Sequence, residues 1–204
     1  MNILEYYLNT PISDEDIRKL KVGDIVYLSG IIVTARDAAH NRALSILNSG
    51  KQLPIDLRGL AVYHCGPVVD KRNGEWVIVV AGPTTSTRMD SLEYDFIEKT
   101  GVKMVIGKGG MGNRTVEACK KFGAVYTIFT GGAAVLAAKG MKRVLDVHWL
   151  DLGVPEALWV IEVDKFGPLM VTIDSHGNNF YDSINKEVYR RLREEIYPKI
   201  GVKA

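Results

Sequence analysis

Four short stretches hold the residues best suited to chemistry. "TARDAAH" carries Arg36, Asp37 and His40. "AGPTTSTRMD" carries Thr84, Thr85, Ser86, Thr87, Arg88 and Asp90. "VIGKGGMG" sets Lys108 among Gly107, Gly109, Gly110 and Gly112, and "FTGGAAV" brings Thr130, Gly131 and Gly132. Each follows an apolar, strand-like run and precedes a helix-like segment. Ligands of α/β proteins gather at such junctions, beside helix N-termini. A cation at a helix start opposes the helix dipole, so Arg36 and Arg88 are locally unfavourable unless an anion lies beside them. Their planar forks suit a carboxylate or a phosphate. Two arginines, a lysine and a run of hydroxyls at neighbouring strand ends suit a small dianion. Plainer readings stand beside these. They are a surface Arg36 paired with Asp37, a packed or capping His40, an N-cap with a solvated Arg88, and glycine turns needed only for tight strand–helix packing.

Gly107, Gly109 and Gly112 also spell G-x-G-x-x-G, which alone reads as a dinucleotide turn. That motif wants an acidic residue about 20 positions on, at the end of the next strand. The next strand-like run, "AVYTIFTGG", has none, and Asp146 comes too late. The Walker pattern fails too, because Lys108 is followed by glycine. What remains is a cationic nest of backbone N–H groups around a lysine. There is no HExxH spacing, no nucleophile elbow and no Cys–His pair. The chain reads as a half that grips a substrate without the electrophile.

The elements that must position these residues follow from hydrophobic period and punctuation. Residues 1–10 read as a leading edge strand and 10–24 as a short helical turn closed by Gly23. Residues 24–35 read as one or two strands, being rich in β-branched and aromatic residues. Residues 36–50 read as a helix with Asp37 as N-cap, an apolar stripe of Ala39, Ala43 and Ile46/Leu47, and Gly50 as its stop. "LAVYHCGPVV" and "EWVIVVAGPTT" read as strands joined by a "DKRNG" hairpin turn. From "VIVVAG" onward, strands alternate with helices over 89–101, 113–123 and 130–140, the rhythm of parallel βαβ units. Residues 158–177 read as a hairpin through Lys165–Pro168, and 182–200 as a charged amphipathic helix. No linker or repeat divides the chain, so residues 1–204 are expected to form one α/β domain of mixed sheet topology.

Composition sets the remaining bounds. The 204 residues are 47% hydrophobic and 25% charged, with a formal net charge of +2. That is ordinary for a globular domain and points to neither nucleic acid nor an acidic membrane. The two cysteines, Cys65 and Cys119, are far apart and make no ligand cluster, so they read as buried or reduced thiols. The N-terminal stretch has no basic region and no continuous apolar run, so a cytoplasmic protein is expected.

In order and spacing, "RDAAH", "AGPTTSTRMD", "VIGKGGM" and "YTIFTGGAA" resemble the β subunit of iron–sulfur-dependent class I fumarases and L-tartrate dehydratases, which is also the C-terminal domain of single-chain class I fumarases. The resemblance covers nearly the whole chain, including "VHWLDLGVPEALWVIEVDKFGPLMVTIDSHGNNFY". It implies a swivelling β/β/α fold with a mixed sheet. It implies a separate α subunit that carries the cysteine ligands of a 4Fe–4S cluster, whose open iron position binds the substrate's hydroxyl and a carboxylate oxygen. It assigns substrate carboxylates to Arg36, Arg88 and Lys108 and a proton-transfer role to Thr84, with Thr85 as a neighbour. A threonine hydroxyl is too weakly acidic to be a lone base, so Thr84 is read as positioning or relay, with an aspartate of the α subunit taking the proton. The activity implied is reversible hydration of fumarate to L-malate. The alternatives are L(+)-tartrate dehydration and a noncatalytic dicarboxylate-binding subunit. The expected assembly is a hetero-oligomer with two copies of each subunit. The roles of Asp37, His40 and Thr130 stay open.

Overall fold

The computed structural model describes residues 3–202. In chain order the main elements are β1 (Glu5–Asn9), α1 (Asp14–Lys19), β2 (Ile25–Thr34), α2 (Asp37–Asn48), β3 (Ala61–Tyr63), β4 (Val68–Arg72) and β5 (Glu75–Val80). They continue with α3 (Asp90–Thr100), β6 (Met104–Gly107), α4 (Asn113–Phe122), β7 (Val125–Ile128), α5 (Ala134–Lys139), β8 (Met141–His148), β9 (Leu158–Ile173) and α6 (Phe180–Arg191). Local chemistry explains several boundaries. Ser13 caps α1 by accepting from the Asp16 N–H. Gly101 and Gly123 end α3 and α4 in the left-handed conformation that glycine adopts without strain.

β2, β3, β6 and β7 run parallel as successive neighbours. β9 runs antiparallel to both β7 and β2, so these five strands close on themselves. β1 lies parallel to the first half of β2, and β8 pairs antiparallel with the first half of β9. The mixed α/β architecture is therefore as expected. Period-two alternation sorts the side chains. Ala61, Tyr63, Met104, Ile106 and Val125 point into the closed sheet with Trp159, Ile161 and Phe166. Val62, Val105 and Tyr126 point outward against Ala39, Ala43, Phe96, Ile97, Ala118 and Cys119 of α2, α3 and α4. No described helix is long and apolar enough to cross a membrane.

Four expectations are corrected. The hairpin through Lys165–Pro168 does not form. Leu158–Ile173 is one strand of 16 residues, held from Val160 to Met170 along β2. Its turn-like residues are absorbed as a bend with Lys165 at φ 51 and register shifts, as in a β-bulge. "VIVVAG" does not enter the parallel series, because β5 pairs only with β4 in a separate two-stranded sheet. That hairpin does turn at Asn73–Gly74, both at positive φ, and rests Trp76 edge-on against Trp159. "LAVYHCGPVV" is divided between β3 and β4. Finally, the strand β8 was not expected, because Lys142, Arg143 and Asp146 give this edge strand a charged face.

Candidate functional site

Because β2, β3, β6 and β7 are parallel neighbours, their ends at Thr34, Tyr63, Gly107 and Ile128 share one rim. Ligands of such sheets bind beyond the carboxyl ends of the strands. The loop over 83–88 is laid across this rim. The Thr84 N–H donates to the His64 carbonyl at 2.6 Å, and the Ser86 N–H donates to the Lys108 carbonyl at 3.0 Å. Thr85 forms a parallel bridge with Lys108.

The glycines of the G-x-G-x-x-G stretch each have a separate cause. A Cβ on Gly107 would overlap Ser86 Oγ, and one on Gly112 would come within 2.5 Å of Asp90 Oδ2. Asp90, at the start of α3, accepts from the Gly112 N–H (2.7 Å) and from Thr115 Oγ1 (2.9 Å). It thereby caps α4, whose own N-cap residue has no side chain. Gly109 has open space around it but a φ of 77°, and its carbonyl accepts from the Tyr126 hydroxyl at 3.0 Å. Lys108 is half-buried, and its stem passes over Gly131. The glycines pack the turn and the lysine is what the turn presents.

Arg36, not Asp37, is the N-cap residue of α2, in extended conformation. The buried face of that helix is Ala39, His40, Ala43 and Leu44, one step round from the expected stripe. An anion does lie at this helix start, and it belongs to the chain itself. Glu156 Oε1 meets Arg36 Nε at 3.1 Å, and Glu156 Oε2 accepts from the Ala38 N–H at 3.0 Å. Glu156 follows Arg36 by far in sequence, and no local pattern could have linked them. Gly66 leaves room for the guanidinium, since a Cβ there would sit 2.7 Å from Nη1. Asp37 pairs with Arg88 instead of Arg36, in a fork of 2.6 Å (Nη2–Oδ2) and 3.2 Å (Nε–Oδ1). Lys108 holds no carboxylate among the described residues, in contrast to both arginines. Arg36, Thr84, Thr85, Arg88 and Lys108 thus lie on one connected rim, with Arg88 and Thr85 open to solvent. Thr130 is exposed at its margin.

Beneath the rim is a buried cluster that the sequence did not disclose. His40, His64 and Glu93 are each 0% exposed. Glu93 Oε2 lies 3.1 Å from His64 Nε2 and 3.6 Å from His40 Nε2. Burial holds the His64 imidazole below its ordinary range, so it is neutral. Burial works to raise the Glu93 carboxyl, but the two imidazoles outweigh it and keep the group well below the usual carboxylate range. Both shifts are downward, and the sign is the same for each. Below about pH 6.5 the unfolded chain takes a proton at His64 that the folded chain refuses, so stability falls with pH. The Glu93 contribution is lost further down, as pH falls through its depressed value. Thermal unfolding between pH 8 and pH 5 is expected to show Tm dropping below about pH 6.5. A His64→Asn variant, less stable at neutral pH, is expected to show a flatter curve over that interval.

The donor set does not fit an iron–sulfur cluster. The two cysteines are both buried, on separate elements, and burial raises their thiols, that of Cys65 to about 12. Nothing in this chain's residues offers the thiolates such a group requires.

Residues 2–184 match the family model described as the fumarase C-terminus, and the chain belongs to that family. It is 49% identical to the L(+)-tartrate dehydratase subunit beta of Escherichia coli (strain K12) over 193 residues, covering 95% of this chain and 94% of that protein. The corresponding subunit of Shigella boydii is 48% identical over the same length. A protein of Geobacillus stearothermophilus, named provisionally as a class I fumarate hydratase, is 44% identical over 188 residues, covering 92% of this chain and 35% of that one.

Proposed function

We propose that this chain is the dicarboxylate-gripping β subunit of a hydro-lyase, active together with an α subunit, which catalyses the reversible hydration of fumarate to L-malate. The observation that carries this reading is the rim itself. Three cations from three separate loops line it, one of them holding no carboxylate among the described residues, in a chain of the fumarase C-terminus family. Lys108 holds one end of the dicarboxylate, and Arg36 and Arg88 hold the other. Their charge also stabilises the negative charge that builds on a substrate carboxylate as the neighbouring C–H bond breaks. Thr84, anchored through its N–H to the end of β3, orients the substrate or relays a proton. The base and the iron–sulfur cluster are placed on the α subunit, because this chain lacks the cysteines for the cluster. When bound there, the cluster supplies Lewis-acid chemistry at the substrate hydroxyl.

A second reading, dehydration of L(+)-tartrate, is favoured by the names of the two-chain relatives. Tartrate carries one hydroxyl more than malate, so the choice rests on groups that meet that hydroxyl. Both readings are tested by co-expression with a cysteine-bearing α partner under anaerobic conditions. Steady-state turnover of fumarate, L-malate and L(+)-tartrate by the reconstituted pair is the measurement. The isolated chain is expected to be inactive. A pair that holds its cluster yet turns over none of the three sinks the enzyme reading, and dicarboxylate binding without turnover points to a noncatalytic subunit.

A further inference from the structure

Four polar atoms converge in the buried cluster without a partner. His40 Nε2, His64 Nε2 and both carboxylate oxygens of Glu93 are shut off from solvent and make no hydrogen bond among the described residues. Yet they are close. Glu93 Oε2 stands 3.1 Å from His64 Nε2 and 3.6 Å from His40 Nε2, and the donor atoms of the three residues all lie within 4.8 Å of one another. Polar groups at this range that do not align as hydrogen bonds point past each other, toward a shared third position. A buried carboxylate must be paired or hold a metal ion. The outer side of each imidazole is already engaged. His40 Nδ1 donates to the Arg36 carbonyl at 2.9 Å, an atom that can only accept, which leaves the lone pair of the neutral ring at Nε2. His64 Nδ1 lies 2.9 Å from Ser86 Oγ. That oxygen is free to accept, because the Ser86 proton has an outlet at the Tyr126 hydroxyl, which itself donates to the Gly109 carbonyl at 3.0 Å. Both Nε2 lone pairs are then left facing the carboxylate. An imidazole that donates from its outer nitrogen and turns its inner lone pair to other donors is arranged as metal-binding histidines are.

We propose that His40, His64 and Glu93 hold one divalent transition-metal ion of the zinc type in a closed structural site beneath the rim. The two nitrogen–oxygen separations bracket about 3.3–3.4 Å, the edge of a tetrahedron whose ligands lie about 2.05 Å from zinc. Two imidazole nitrogens and a carboxylate with both oxygens unspent supply four donors. Imidazole ligands favour zinc over magnesium or calcium, which take oxygen. The ligands come from α2, from the residue after β3 and from α3, so the ion ties these three elements together. That separation in sequence is why no local spacing announces the site. All three residues are fully buried, so the ion is structural and does not meet a ligand at the rim. The Phe96 ring, 4.2 Å from that of His40, covers one side. With no route from solvent, the ion enters as the chain folds. The pH dependence given above keeps its sign, because a metal also requires the neutral imidazole.

The test uses the untagged full-length chain, expressed alone in zinc-supplemented medium so that no partner contributes iron. Metal analysis after gel filtration is expected to find about one zinc per chain. Refolding with a chelator is expected to lower Tm by about 10 °C, the effect of losing a ligand present at about a thousand times its Kd, and added Zn2+ to restore it. Refolding with Zn2+ but not with chelator counts as the same result. Glu93→Gln is expected to keep less than about a tenth of the zinc, since one ligand charge is gone. A double variant at the chain's other two histidines, His148→Asn with His176→Asn, is expected to keep it all. Should Glu93→Gln not fold, wild type refolded with Co2+ is expected to show NMR-shifted exchangeable protons from two imidazole Nδ1–H groups. A folded chain without zinc whose Tm ignores Zn2+ overturns the site. So does zinc that survives in Glu93→Gln or is lost with His148 and His176, which marks a surface contaminant, and so does cobalt that shifts no imidazole proton. None of these readouts needs turnover. A zinc-loaded chain whose pair is inactive on every dicarboxylate leaves the site standing and sinks the functional reading, and an active pair with a metal-free β chain does the reverse.

Discussion

Lys108→Ala is expected to lower kcat/KM of the reconstituted pair by about 10²–10³-fold, the usual cost of removing a preorganised group aimed at developing charge. The fold should hardly notice. The interactions that anchor the 83–88 loop to residue 108 come from its backbone: the carbonyl that accepts from Ser86, the N–H that reaches Ser86 Oγ, and the bridge with Thr85. None needs the ammonium. Lysine is also the one rim cation that holds no carboxylate among the described residues, so nothing stands in for it. Lys108→Arg is not expected to restore wild-type turnover, because a longer planar fork cannot occupy the place of a compact point charge. Steady-state kinetics and thermal unfolding of the same preparations make the check. Turnover within threefold of wild type in Lys108→Ala would falsify the role given to this side chain.

Gly107→Ala is expected to act in the opposite way, through the fold. An added Cβ would overlap Ser86 Oγ and press on His64 Nδ1, 3.2 Å away. Ser86 and His64 are both buried and cannot swing into solvent. Overpacking of this kind costs about 3 kcal/mol at its upper range, or roughly a 10 °C fall in Tm for a domain of this size. The displaced Ser86 would also release the Lys108 amide, so activity should fall even below the melting point. Gly109→Ala is the control. Open space surrounds that position, and only its φ of 77° resists a side chain, so the cost should be about 1–2 kcal/mol. Equal melting temperatures for the two variants would show that the contact with Ser86 is not what requires glycine at 107.

The contrast between those glycines shows what was legible in the sequence. Strand–turn–helix junctions announce themselves through local composition, and three of them deliver Arg36, Arg88 and Lys108 to one rim. The expectation that an anion compensates Arg36 was sound physics, but the compensating group, Glu156, comes from the far end of the chain. The sequence offers Asp37 its neighbour Arg36 as a partner, but Asp37 pairs across the rim with Arg88. Glu93 lies in the helix expected over 89–101, where nothing in the local pattern singles it out, yet it is fully buried. Its meaning depends on His40 and His64, which only the packing of α2, α3 and the end of β3 brings together. β9 was misread for a related reason. Lys165 to Pro168 have turn chemistry, and the long pairing with β2 carries one strand through them with no more than a bend.

The two arginine–carboxylate pairs on the rim also bear on how a ligand arrives. With Arg36 and Arg88 already matched by Glu156 and Asp37, the site projects little net field into solution. Electrostatic steering should be weak, and association should depend only mildly on ionic strength. Recognition then happens at contact, where a ligand must offer carboxylates spaced to reach Lys108 and compete with built-in ones. Phosphate or sulfate brings charge without that spacing, so the rim can stay selective in a solution full of small anions.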